Sequence, residues 1–93
     1  MEKKHQGFKF IFSANGHDKK NYKFFITKIC TKGEDKFMLL VQAVSSDDDK
    51  CMMSNGYNLP NDTEVNSELI EFIIGDDRNF EDIEVPEVKW EKA

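Results

Sequence analysis

From Gly7 onward the chain alternates: Phe8, Phe10 and Phe12 fall on one side, Lys9, Ile11 and Ser13 on the other. Period-two alternation rich in aromatics predicts a half-buried β-strand. Asn15-Gly16, a dipeptide that tolerates positive φ, predicts its end, followed by a polar loop to Lys20. Tyr22 to Thr31 reads as a second strand, with Tyr22, Phe24 and Ile26 on one face and Phe25 and Ile29 on the other. Such two-sided apolarity predicts either that both faces are partly covered or that a bulge near Thr27 switches the phase. Residues 31–35, TKGED, predict a Gly-centred hairpin turn. The third strand, Phe37 to Val44, is apolar on both faces, which predicts a central position with a helix or loop over the second side. Short connections between the three strands predict an antiparallel meander.

Residues 45–61 carry a weaker pattern. SSDDDK is a polar break, CMM fits a short strand, and SNGYNLPND is rich in turn formers. NDTEVNSELIEFIIG, residues 61–75, predicts a helix capped by Asn61 or Asp62, with Glu64 placed as in a capping box. Val65, Leu69, Phe72 and Ile73 recur at helical spacing as the buried stripe, Glu64, Glu68 and Glu71 decorate the outside, and Gly75 predicts a left-handed end. Alternation returns at Ile83 and Val85, then at Val88 and Trp90 after Pro86 shifts the register, predicting an edge strand. The fold class is therefore α+β: a small antiparallel sheet of three to five strands, order β-β-β-(β)-α-β, with one helix packed on one face. Residues 1–6 are expected to be a flexible N-terminus and residues 7–91 one domain.

Composition narrows this picture without changing it. The chain has 93 residues, 39% hydrophobic and 12% aromatic, enough for one core. The longest apolar run, Phe37 to Val41, is too short to span a bilayer, and no signal-type apolar region follows Lys3 and Lys4. The expectation is a soluble cytoplasmic protein with no membrane role. Cys30 and Cys51 allow one disulfide, but they read rather as two partly buried unpaired thiols, since small secreted scaffolds carry more cysteines.

No catalytic signature is present. Neither G-x-S-x-G, H-E-x-x-H, a P-loop nor a dinucleotide fingerprint occurs. His5 sits in the tail and His17 in a loop, and a Cys30–His17 nucleophile pair lacks an orienting third group. Asp47, Asp48 and Asp49 lack the alternating spacing that wraps calcium. No enzyme activity, cofactor or metal is expected.

Charge is the feature left over. Residues 1–36 hold nine lysines against four acids, whereas residues 37–93 hold four basic against fourteen acidic residues. Lys9, Lys19, Lys20, Lys23, Lys28, Lys32 and Lys36 are expected on the exposed face of the meander, and the carboxylates at the opposite pole. Such charges keep a small protein soluble and guard an edge strand. They also steer association with a surface of opposite sign. The functional expectation is a noncatalytic module whose acidic half docks a basic surface of a partner protein, such as a nucleic-acid-binding protein or nuclease. Asp76, Asp77, Glu81, Asp82, Glu84 and Glu87 would supply the field and Trp90 the apolar contact. Shortness, acidity and lack of catalytic residues are shared with small stoichiometric inhibitors, among them immunity proteins and phage anti-defence proteins, some of which mimic nucleic acid; the likeness is one of type. The alternative is a nucleic-acid-binding module using lysines and aromatics of the meander, opposed by the net charge of −5. Exposed sheet edges also allow a homodimer.

Overall fold

A computed structural model describes residues 4–93. Four long strands follow one another: β1 (His5–Asn15), β2 (Asn21–Thr31), β3 (Lys36–Ser45) and β4 (Cys51–Pro60). Then come α1 (Ser67–Ile74), a 3-10 turn over Arg78–Phe80, and a two-residue strand β5 (Glu91–Lys92). The strands form one antiparallel sheet in the order β4-β3-β2-β1-β5. The fold is the expected α+β meander with a single helix. Among the described residues no helix is long and apolar enough to cross a membrane.

Register explains the core. Phe10 pairs with Ile26 and Phe12 with Phe24. Those two β2 residues pair in turn with Val41 and Ala43, and Leu39 pairs with Tyr57. Period two puts all of these on one face, where α1 adds Ile70, Ile73 and Ile74 and the following chain adds Phe80 and Val85. Of the two alternatives for β2, partial cover of both faces is the one observed: Phe25 and Ile29 are half-buried, and no bulge occurs near Thr27, because β2 stays in unbroken register with both neighbours. A register shift falls instead between Ala43 and Val44, against β4.

Several expectations are corrected. The expected short CMM strand and turn region are one ten-residue strand, β4, zipped along β3. The helix packs on the Phe10 face rather than over the second side, and on that second side Ile11 and Met38 remain 45% exposed. Asn61 does not cap the helix: its N–H bonds the Asp35 carbonyl at 3.0 Å and its side chain donates to the Glu34 carbonyl at 2.7 Å, tying β4 to the β2–β3 turn. The cap is Asn66, whose Oδ1 accepts from the Leu69 N–H at 2.9 Å. Gly75 is right-handed, φ −68°, and the chain tapers through i→i+3 bonds from Asp76 and Asp77. Gly33, φ 88°, is the glycine whose turn does require the left-handed region.

The later start leaves Val65 outside the helix, and the face that packs is not the expected one. Ile70, Ile73 and Ile74 share the inner face, while Phe72, expected in the stripe, is 82% exposed. The alternating segment 83–90 is no strand. Val85 is buried and Ile83, Val88 and Trp90 pack against the core from one side, so the segment is an extended strap that reaches the ladder only at Glu91, opposite Lys9. At the other end His5 and Gln6 already pair with Thr31 and Cys30, and residues 1–3 of the expected flexible terminus lie outside the described residues.

Two phenylalanines separate core from surface in one measurement. Phe80→Ala, at a position 1% exposed, should cost about 3–5 kcal/mol in chemical denaturation. Phe72→Ala should leave stability within about 0.5 kcal/mol.

Candidate functional site

The segment after α1 is acidic and would favour solvent, yet it is pinned. Phe80 inserts edge-on against Tyr22 and Phe24, both with ring centroids at 5.0 Å. Around it the β1–β2 loop closes a hydrogen-bonded latch. The His17 N–H donates to the Asn79 carbonyl at 2.8 Å, and the Asp18 N–H to the Asn79 side-chain oxygen at 2.8 Å. His17 Nε2–H donates to the Glu81 carbonyl at 2.8 Å, so this ring is engaged by the latch rather than by Cys30. The Tyr22 hydroxyl donates to Asp18. Gly16 is needed here because a Cβ would fall 2.6 Å from the Asn79 side-chain nitrogen.

Pinned this way, the chain after α1 lines a groove of about 820 Å³. Glu71 and Phe72 come from the helix, Asp76 from its end, Glu81, Asp82, Ile83 and Glu84 from the returning chain, and Tyr57 from β4. Asp82 is left-handed, φ 62°, a conformation Asp adopts more readily than most residues. No ion pair joins these five carboxylates to a cation among the described residues. They do not converge either: no group of three or more His, Cys, Asp or Glu among the described residues is placed to hold a metal ion. A second, smaller cleft of about 380 Å³ adjoins it, lined by Met52 to Asn55 of β4 and by Asp76 and Asp77.

Of the residues expected from sequence, Asp76, Glu81, Asp82 and Glu84 therefore meet in one groove. Asp77 joins Asp76 in the adjoining cleft and also caps the 3-10 turn, accepting from the Asn79 N–H at 2.9 Å. Glu87 is exposed on the strap beyond Pro86 and lines neither cleft. Trp90 is half-buried, edge-on to Phe10 at 6.5 Å, and stands apart from the groove. Sequence reasoning missed Glu71, Phe72 and Tyr57. Glu71 was placed on the outer side of the helix but not assigned to the site, Phe72 was placed in the buried stripe, and Tyr57 lay in an unrecognised strand.

The charge segregation runs through the thickness of the molecule. Strands β1 to β4 contain no Asp or Glu. Lys9, Lys23 and Lys36 share the open face by register, with Phe25 as the aromatic there, while Phe10, Phe12, Tyr22 and Phe24 are buried in the core. Lys28 was expected among the exposed lysines; instead it takes the core-face register opposite Leu39 and sits 4.6 Å over the Phe37 ring and 5.9 Å from that of Trp90. Lys19, Lys20 and Lys32 lie in the connections between strands, and in the β3–β4 connection the Lys50 N–H donates to the Asp48 carboxylate at 3.2 Å. Both cysteines are free thiols.

The chain matches no protein-family model, no curated protein and no solved structure.

The Tyr22 hydrogen bond is the largest influence holding the Asp18 carboxyl below its ordinary value, ahead of the Lys20 amide, the Asn79 side chain and the Lys20 charge. The same bond raises Tyr22 above its ordinary value. A lowered carboxylate stabilises the fold above its unfolded pKa of 3.8 and loses that contribution as pH falls through the folded value. Asp18→Asn should therefore lower the thermal midpoint by a constant margin at neutral pH, and the gap to wild type should close below pH 3.8.

Proposed function

We propose that this chain is a noncatalytic protein-binding module whose acidic groove docks a basic surface of another protein and blocks it stoichiometrically. The observation that carries the reading is the groove itself: five carboxylates with no ion pair among the described residues, around a phenylalanine that is 82% exposed. A large apolar ring amid desolvatable charge is the composition of an interface centre, where aromatics anchor and charges select the partner. Because the carboxylates are spread along the walls, they suit several cationic side chains better than one small ion.

Helix polarity points the same way. The C-terminal end of a helix carries partial negative charge from its unpaired carbonyls. Here no basic residue occupies the last turn of α1, and Asp76 and Asp77 follow directly. Stability alone would favour lysine or arginine at these positions. Negative ends stacked on negative side chains produce a field that a cationic partner relieves.

The test uses Asp76→Lys, Glu81→Lys and Glu84→Lys together. Asp77 is left intact because it caps the 3-10 turn, and Asp82 because its left-handed backbone would strain lysine. A partner captured from the native host at low salt and then purified should associate at least about tenfold more slowly with the triple variant, and with weaker salt dependence. Phe72→Ala should mainly speed dissociation. Equal association rates for wild type and the triple variant would remove the electrostatic basis of the proposal.

A further inference from the structure

Strand β4 is the free edge of the sheet: it pairs with β3 on one side and with nothing on the other among the described residues. Alternate residues of an antiparallel edge strand aim their N–H and C=O groups outward. From Met52 to Leu59 the only other bond to this backbone among the described residues is that of the Cys51 thiol to the Met53 carbonyl, 3.2 Å. Exposed edges are normally blunted by lysines, prolines or bulges. β4 has a register shift at its start and Pro60 at its end, but no charged residue anywhere between. The opposite edge, β1, carries Lys9 and is partly closed by β5 and by the Ala93 N–H on the Gly7 carbonyl, 3.0 Å.

The acidic wall runs along this free edge. Asp76 and Asp77 face Met52 to Asn55 across the smaller cleft, and the larger groove reaches Tyr57. We infer that β4 accepts an extended basic segment of the partner as a sixth strand, with lysine or arginine at alternate positions aimed into the acidic groove. This rests on the docking function proposed above and specifies the form of the ligand. Backbone bonds supply affinity and the alternate cations supply selection. A second copy of this chain fits less well. Antiparallel β4–β4 pairing turns about an axis normal to the sheet, so both acidic walls would lie on one face and meet across the seam, like charge against like.

The probe is an acetylated, amidated octapeptide of alternating lysine and valine; its control, of equal charge, has every backbone amide N-methylated. At low salt the octapeptide should slow amide exchange at alternate residues between Met52 and Leu59 at least tenfold, and the control should not. Asp76→Lys should weaken octapeptide binding at least tenfold. If the octapeptide shifts the resonances of Glu71 and Phe72 while β4 exchanges as before, strand addition is wrong and the acidic docking site stands. If neither peptide binds, both proposals fall. If β4 exchange slows with protein concentration alone, the edge belongs to a second copy and the inference is overturned.

Discussion

The arrangement depends on the burial of Phe80 between Tyr22 and Phe24. Full burial of one such side chain is worth about 1.5–3 kcal/mol. That is a large share for a chain whose total margin is of order 5–15 kcal/mol. Without it, residues 75–85 would carry five carboxylates and one arginine on a mobile loop, and mutual repulsion would extend it. With it, the hydrogen bonds from His17 and Asp18 to Asn79 and Glu81 acquire fixed partners. The apolar anchor sets position and the polar latch sets orientation. Only then do Glu81, Asp82 and Glu84 face Glu71 and Asp76 across a groove.

The helix obeys the same dependence. Eight residues are too few for a helix to persist alone in water, so α1 is held by Ile70, Ile73 and Ile74 on the sheet. At 100° per residue, those three share one face and Phe72 must leave it. The exposure of Phe72 is thus not a packing defect but the consequence of which face of the helix packs on the sheet. Asn66 rather than Asn61 caps it because Asn61 is already committed to closing β4 onto the β2–β3 turn.

This explains which parts were legible in the sequence. The first three strands follow from local alternation because one face of each meets the core. β4 was hidden because Asn55, Gly56, Asn58 and Pro60 have poor strand propensity, and only pairing with the strongly apolar β3 overrides that preference. The one trace it leaves is Met53, Tyr57 and Leu59 at even spacing. Conversely, the alternation of Ile83, Val85, Val88 and Trp90 was real but arose from one-sided packing without a ladder, as Pro86 permits. The acidic cluster could be read as a composition. Its partition into groove, cap and strap could not, since it depends on a 3-10 turn anchored by a residue fifty-odd positions away in sequence from its contacts.

Electrostatics then follows from topology. With acids excluded from all four long strands, the sheet presents lysines on its open face and its apolar side to the core. Apart from Glu91 in β5, the carboxylates of the described residues are displaced to turns, loops, helix and strap. Those on the helix and strap are confined to one side of the sheet, beside the only long edge that nothing covers among the described residues. Coulomb interactions among exposed charges fade over about 10 Å at 0.1 M salt, so a field matters only where charges are crowded. Crowding Asp76 and Asp77 against a helix C-terminus works against the stability of α1. Concentrating like charge at the least favourable helix end, next to an edge strand left unpaired among the described residues, costs this fold stability, and the proposed docking of a basic segment is the reading under which that cost has a use.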